Sequence, residues 1–185
     1  QAEVEFAMDN LRRGVKEFLL KYSSPTSLSA NAMPLDTGFV TILSLHSGSP
    51  GEKWVKEYLQ KHEWTGKLII VTEENNAHYD AMAASDFGFI HDGQMVSSAN
   101  ALHLPVNCMF DMRMNQQWYQ DFFNRWWNDM NLTADQPINP ELIGGQCWYG
   151  KITDPLAESY IKPKERYRTI QKANGFVQDA MSFRE

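Results

Sequence analysis

Cysteine is scarce in this chain. Only two cysteines occur in 185 residues, Cys108 and Cys147, and they form no CxxC pair. Cys108 stands inside an apolar run, which predicts a small buried thiol rather than a nucleophile or a ligand. Two thiols that stand far apart in the sequence fit a reducing, intracellular compartment.

The chain also lacks a basic excess, a long apolar run and a metal-binding histidine pattern. It has 17 Lys and Arg against 23 Asp and Glu, for a formal net charge of −6. Nonspecific nucleic-acid binding needs a basic face, so no nucleic-acid partner is predicted. No apolar run approaches the roughly 20 residues of a membrane-spanning helix, so no transmembrane segment is predicted. The histidines show no HxH, HExxH or HxxE spacing, so no metal site is predicted.

What the sequence does contain is an alternation of strand and helix patterns between residues 67 and 111. Apolar stretches of strand length at 68–71, 87–90 and 106–110 are separated by two short helical segments. Such strands suit a mostly parallel sheet with helices on both faces, which predicts an α/β fold with a single Rossmann-like domain. Ligands of these sheets bind outside the carboxyl ends of the strands, so chemistry is expected at 73–76, 91–94 and 111–115.

An N-terminal helix and an extended arm precede this domain. Residues 3–22 carry apolar side chains at spacings of three and four, and residues 23–38 have two prolines and no periodicity. We predict a helix and arm over 1–37 and a Rossmann-like domain with a C-terminal helix over 38–185. The apolar stripe of the helix could pack on its own sheet or on a partner protein. An arm with so little core of its own is ordered most easily by lying on something else.

A Gly/Ser-rich loop follows the first predicted strand, at 39–45, and leads to a predicted helix at 52–62. Backbone N–H groups in the loop His46-Ser47-Gly48-Ser49 could bind phosphate together with the helix dipole. The loop matches neither GxGxxG nor the Walker pattern, so an ordinary turn with Ser49 near the helix N-cap is favoured. His46 and His91 fall at strand ends and could serve as a base or bind phosphate or a metal, although solvated or structural histidines are the default interpretation.

Two later segments complete the reading. Residues 131–150 are rich in Pro and Gly and predict a loop. Thr153-Asp154-Pro155 predicts the start of a short helix, because Pro is tolerated in the first turn.

Three weak motifs occur in a fixed order along the chain: Leu43 to Ser49 at the end of a strand, Ala83-Ala84-Ser85-Asp86 before another strand, and Ile138 to Gly145. In this order they resemble the C-terminal, nucleotide-sugar-binding domain of lipid-A-disaccharide synthase, an inverting glycosyltransferase of the GT-B fold. The resemblance covers about 38–158. It implies a Rossmann-like fold and a nucleotide site at the strand ends.

The chain departs from this family at the donor site. The family turn reads Ser-Gly-Thr with a Glu five residues after the Gly, where this chain has Asp92, Gly93, Gln94 and Ser98. The family Arg after Gly48-Ser49 is Pro50 here. The resemblance therefore implies the fold and argues against the activity. The vestigial nucleotide-binding residues would be His46, Ser47, Gly48, Ser49, His91, Gly93, Gln94 and Arg113.

An aromatic cluster marks the segment 116–130, with six aromatic residues within ten positions. Core packing explains part of it, and the rest predicts a face covered by a partner, since Trp and Tyr are favoured interface anchors. An aromatic platform for a nucleic acid or a sugar is the alternative, and the flanking residues Asp121 and Asp129 disfavour a polyanion there. The predicted interface residues are Trp118, Tyr119, Phe122, Phe123, Trp126 and Trp127.

These patterns favour a non-catalytic glycosyltransferase-like domain that acts as a structural or accessory subunit of a larger complex. A GT-B enzyme needs two Rossmann-like domains, and only one fits here. The predicted partners are protein subunits, and no cofactor is predicted. The chain begins with Gln1, which suggests either a processed terminus or a fragment of a longer protein, and the first of these is compatible with a mitochondrial complex. The alternative is a nucleotide-sugar-dependent glycosyltransferase or a UDP-sugar-binding protein with a UDP-type nucleotide as its ligand.

Overall fold

The computed structural model describes residues 1–22, 39–91, 95–110, 129–135, 137–143 and 148–161. Over these ranges the chain is a mixed α/β protein in which every strand pairing is parallel. The predicted α/β class with Rossmann-like parallel strands is confirmed. Contacts within the chain divide it into two compact units. The first comprises Gln1–Ala81 with Trp148–Ala157, and the second begins at Met82.

The elements alternate as the sequence predicts. The first unit holds α1 (Ala2–Tyr22), β1 (Val40–Leu45), α2 (Pro50–Lys61), β2 (Lys67–Thr72), a 3₁₀ turn (Glu74–Asn76) and most of α6 (Gly150–Ile161). Helix α3 (Ala77–Ala84) crosses the boundary between the units. The second unit holds β3 (Gly88–Ile90), α4 (Met95–Ala101), β4 (Val106–Phe110), α5 (Asp129–Ala134) and β5 (Glu141–Ile143).

Strands β1 and β2 form the sheet of the first unit. They pair in parallel from Val40 opposite Lys67 to Leu45 opposite Thr72. Leu43 and Leu45 pack against the buried side chains of Met8, Val55 and Tyr58. Because side chains alternate between the two faces of a strand, Val40 and Ile69 point to the opposite face, where each is 38% exposed.

Helix α1 buries its apolar stripe inside the first unit. Met8, Val15 and Phe18 are at most 4% exposed. Met8 contacts the core formed by α2 and β1, and Phe18 packs with Ala157 of α6. Of the two destinations that the sequence left open for this stripe, packing within its own chain is the one observed.

A polar cluster joins α1 to α2. Arg12 Nε donates to the Tyr58 hydroxyl at 2.9 Å, and that hydroxyl donates to Asp9 Oδ1 at 3.1 Å. Burial raises the pKa of Asp9, but the hydrogen bonds from Arg12 and Tyr58 and the charges of Arg13 and Arg12 outweigh it, so this pKa lies below its usual value. The ionised carboxylate therefore helps to hold the two helices together.

The second unit is built around β4, which lies between β3 and β5 in a parallel sheet. Val106, Cys108 and Met109 are at most 4% exposed and belong to its interior. Burial, and after it the charge of Glu141, raise the pKa of Cys108 to about 12. The prediction of a small buried thiol at this position is confirmed.

Two elements depart from the sequence prediction. The expected loop at 131–150 contains the end of α5 and all of β5. Strand β5 pairs with β4, with Glu141 opposite Cys108, and the Cys108 N–H donates to the carbonyl oxygen of Pro140 at 2.8 Å. Helix α6 begins at Gly150, so Pro155 lies inside it and not in its first turn. The first turn is closed by bonds from Lys151 N to Trp148 O and from Ile152 N to Tyr149 O.

Within the described ranges, no helix has both the length and the apolar character needed to cross a membrane. The predicted arm at 23–38 lies outside these ranges.

Candidate functional site

The loops after β1 and β2 meet at one edge of the sheet, because the two strands are parallel and in register. His46, Ser47 and Gly48 follow β1, and Glu73 follows β2. The sequence predicted chemistry at this edge. The contacts between the two loops decide what chemistry the edge allows.

Glu73 binds the first loop from across the sheet edge. Its Oε2 accepts the Ser47 N–H at 2.6 Å, and its Oε1 lies 3.0 Å from His46 Nδ1. The Ser47 N–H is the largest cause of a lowered pKa at Glu73, followed by the N–H of Glu73 itself, and the imidazoles of His46 and His78 act in the same direction. Next to it, Glu74 Oε1 accepts the Ser47 hydroxyl at 3.2 Å.

Ser49 and Glu52 close the start of α2. The Ser49 hydroxyl accepts the Glu52 N–H at 3.1 Å, which confirms Ser49 as the helix N-cap. The Glu52 side chain turns back, and its Oε2 accepts the Gly48 N–H at 2.8 Å. Its Oε1 accepts a hydrogen bond from the Lys56 ammonium at 2.5 Å. The bond from Lys56, and after it the bond from Gly48, lower the pKa of Glu52.

The backbone of both loops enters the left-handed region. Gly48 has φ +71°, a conformation that favours glycine. Across the sheet edge, Asn75 and Asn76 have φ values of 55° and 62°. Asparagine tolerates this region better than most residues, so the residue types at both loops fit the backbone that they adopt.

Together these contacts use the donors that a phosphate would need. The N–H groups of Ser47 and Gly48 are bonded to carboxylates, and the N–H of Glu52 is bonded to Ser49. Pro50 opens α2 and has no N–H. At the N–H groups of Ser47 and Gly48 an incoming phosphate would therefore meet the carboxylates of Glu73 and Glu52.

The surface beside this loop is an open groove of about 390 Å³ along the outer side of α2. Its two lysines already have acidic partners on the same helix. Lys56 pairs with Glu52 at 2.5 Å, and Lys53 lies 3.9 Å from Glu57. The lining residues are Gly48, Ser49, Glu52, Lys53, Lys56, Glu57 and Gln60.

In the part of the chain that the structure describes, no three His, Cys, Asp or Glu side chains are placed to hold a metal ion together.

Four of the predicted nucleotide-site residues, His46 to Ser49, lie together in the loop after β1. His91 is exposed and directly follows β3 in the second unit. Glu52 was not among the predicted residues, although the spacing Ser-x-x-Glu before an apolar stripe is the signature of a capping box and could have identified it. Outside the described ranges lie Gly93, Gln94, Arg113 and the predicted interface residues Trp118, Tyr119, Phe122, Phe123, Trp126 and Trp127.

Comparison with known proteins identifies no family for this chain. No protein-family model matches the chain, and no curated protein matches it in sequence. The similarity to lipid-A-disaccharide synthase therefore stays a prediction from the motifs.

Proposed function

We propose that this chain is a non-catalytic, glycosyltransferase-like domain that serves as a structural or accessory subunit of a larger protein complex. The observation that carries the proposal is that carboxylates of the same chain accept the backbone N–H groups of the loop after β1, which a phosphate would otherwise use. The N–H groups of Ser47 and Gly48 bond to Glu73 and Glu52 at 2.6 and 2.8 Å.

Electrostatics supports the absence of catalysis. Transfer from a nucleotide sugar requires groups that stabilise the charge of a departing diphosphate. At this sheet edge the carboxylates of Glu52, Glu73 and Glu74 bond to the loop, and the position of the family arginine is Pro50. These three carboxylates repel the negative charge that the reaction would develop.

Exposed apolar side chains support a role as a subunit. Val40, Ile69 and Ile70 of the β1–β2 sheet are 38 to 40% exposed, and Trp148 at the start of α6 is 46% exposed. Apolar and aromatic side chains on a surface favour protein partners. The aromatic segment 116–130 points the same way in sequence. We place the complex in a reducing compartment, with the mitochondrion as the proposed location.

A titration with free UDP and with UDP-sugars, followed by thermal unfolding, tests the first half of the proposal. A ligand at about a hundredfold over its dissociation constant stabilises a fold by roughly 2.7 kcal/mol. We expect no shift in melting temperature. A shift that disappears in Ser49→Ala or in Gly93→Ala would instead support the nucleotide-sugar alternative.

One contact favours that alternative specifically. Glu73 orients His46 through the Nδ1 contact at 3.0 Å, while the His46 side chain stays 79% exposed. An oriented, accessible imidazole at a strand end is the arrangement of a general base. If the titration shows binding, His46→Gln tests this role through the rate of sugar transfer or donor hydrolysis, whereas binding should survive the substitution.

The size of the native assembly tests the second half. We expect the protein in a gently prepared extract to migrate in native electrophoresis at a mass well above the 21.3 kDa of this chain. Cross-linking through exposed Lys67, beside Val40 in the sheet register, should join it to other proteins. Migration as a free monomer with no cross-linked partner would contradict the subunit proposal.

A further inference from the structure

Strand β2 lies at an edge of its sheet and is poorly covered. Among the described residues it pairs only with β1, so the backbone N–H and C=O groups on its other side have no strand partner there. Parallel sheets are ordinarily covered on both faces. Here no residue of β1 or β2 is buried, although most of their side chains are apolar.

The exposure of Ile69 and Ile70 indicates what kind of partner would cover β2. These two residues are neighbours in the strand, so their side chains point to opposite faces of the sheet. Both are nevertheless exposed, at 38 and 40%. A partner that lay on one face would cover only one of them. A strand added beside β2 would place side chains next to both, and its backbone would bond to the unpaired edge.

The residues of β2 fit a strand partner. Natural edge strands are usually protected by charged side chains, Pro or a bulge. After Lys67, the rest of β2 is Leu-Ile-Ile-Val-Thr, which has no charge and no Pro. Lys67 stands at the start of the strand, and Glu73 and Glu74 directly follow its end. Two copies of this strand in antiparallel orientation would set the basic end of each beside the acidic end of the other.

We propose that β2 pairs in antiparallel orientation with β2 of a second copy of this chain, about a two-fold axis. In an antiparallel pair, opposite residues either both direct their N–H and C=O groups at each other or both direct them away. These directions alternate along a strand, so the axis passes at a residue and not between two. An axis at Ile70 sets Lys67 of each copy opposite Glu73 of the other. An axis at Ile69 would set Lys67 opposite Val71, so charge favours the axis at Ile70.

The size of the strand pair and the net charge indicate a reversible dimer. A standard stable interface buries roughly 1,600 Å² in total. Two paired strands of 6 residues bury less than that. The net charge of −6 on each copy opposes association, but salt screens charges that are more than about 8 Å apart at physiological ionic strength. The bonds and contacts at β2 itself are close enough to escape this screening.

Sedimentation equilibrium of the purified full-length chain tests the association. We expect the mass to rise from 21.3 kDa towards twice that value as the protein concentration increases up to about 1 mM. A monomer at every concentration would overturn the proposal. Because no other protein is present in this measurement, its outcome is independent of the proposed role in a larger complex.

A zero-length carbodiimide cross-link tests the register. An equal mixture of ¹⁴N- and ¹⁵N-labelled chains should give peptides of mixed label in which Lys67 is joined to Glu73 or Glu74. Within one chain the length of β2 separates these residues, roughly 20 Å at about 3.3 Å per residue, so a link of zero length cannot form there. A dimer that gives no such mixed peptide would overturn the antiparallel pairing of β2.

Ile70→Lys tests the position of the interface. It sets two like charges opposite each other at the axis and should raise the dissociation constant of the dimer at least about tenfold. Val40→Lys is the matched control, because it makes the same change at a 38% exposed position of β1. This control should dimerise as wild type does.

Dimerisation of Ile70→Lys with the wild-type dissociation constant would overturn the proposal, and so would a dimer lost only in Val40→Lys, which would place the contact on the face of the sheet. If Ile70→Lys does not fold, the mixed-label cross-link of the wild-type chain decides, and its absence overturns the proposal.

Discussion

Glu73 links the two loops of the candidate site at the scale of a single residue. It accepts the Ser47 N–H and contacts His46, although it stands 26 positions from Ser47 in sequence. A carboxylate that accepts hydrogen bonds in the folded state is favoured in its charged form there, which lowers its pKa. The bond at the Ser47 N–H is therefore strongest when Glu73 is ionised.

The first prediction concerns that dependence. Because the pKa of Glu73 is lower when folded, its contribution is present above the usual value of 4.5 and is lost as pH falls through the folded pKa. We expect the ¹³C titration midpoint of the Glu73 carboxyl below 4.5, with the Ser47 amide proton shift following the same curve. A midpoint at or above 4.5 would contradict the bonding described here.

Glu73→Gln should abolish the pH-dependent change in the chemical shift of the Ser47 amide proton. It should also speed the exchange of that proton with water. Glu74→Gln is the matched control, because Glu74 bonds the Ser47 hydroxyl and not its N–H. The control should leave the titration of the Ser47 amide in place.

At the scale of helices and strands, Gly14 allows α1 and α6 to pack closely. A Cβ added at Gly14 of α1 would lie 2.6 Å from Ile152 Cβ of α6 and 2.9 Å from the carbonyl oxygen of Tyr149, which directly precedes α6. The Thr153 hydroxyl donates to the Gly14 carbonyl at 3.1 Å, so the two backbones are held close together. The residue type at position 14 sets how near α6 can approach α1.

The second prediction is that Gly14→Ala destabilises the protein. In a helix interior, Ala is favoured over Gly by about 1 kcal/mol. Here the overlap with Ile152 and the backbone of Tyr149 reverses the sign, and we expect a net loss of about 1–3 kcal/mol in the free energy of unfolding by urea.

Gly51→Ala in the first turn of α2 is the control. The nearest atom to its added Cβ would be Ser49 Oγ at 3.6 Å, an ordinary contact. We expect this variant to be as stable as wild type or slightly more stable. Equal stability of the two variants would show that α6 does not approach α1 as closely as described.

At the scale of the whole molecule, the acidic charge and the exposed apolar side chains act in different ways. The net charge of −6 opposes close approach of polyanions to the chain. Val40 and Ile69 interrupt this charged surface with apolar area on one face of the β1–β2 sheet. A partner protein that covers Val40 and Ile69 would bind less tightly if either residue were replaced by a charged one, because the charge would be buried at the interface.

The third prediction follows from the proposed role as a subunit. Ile69→Lys should leave the melting temperature of the isolated chain within about 2 °C of wild type, because Ile69 is 38% exposed. The same variant should fail to enter the native assembly. Gln60→Lys, which adds the same charge at an exposed position of α2, should assemble normally. Normal assembly of Ile69→Lys would exclude this face from the interface.

The sequence by itself determined the features that depend on near neighbours along the chain. The stripe of α1 follows from apolar spacings of three and four, and the helix predicted at 3–22 is observed over Ala2–Tyr22. Ser49 caps α2 through a bond to a residue three positions away. The α/β class follows from the alternation of such local patterns, which is why it could be predicted.

Only the tertiary structure decided the features that join distant residues. Strand β5 has three residues and forms because β4 offers it a partner, so its sequence alone predicted a loop. Helix α6 starts before Thr153, whose hydroxyl bonds to Gly14 of a helix 139 positions away. The closure of the candidate site by Glu73 likewise joins two strand ends that are neighbours in the sheet and not in the sequence. Local periodicity carries no information about which distant side chain fills a loop, because that is set by strand pairing and helix packing.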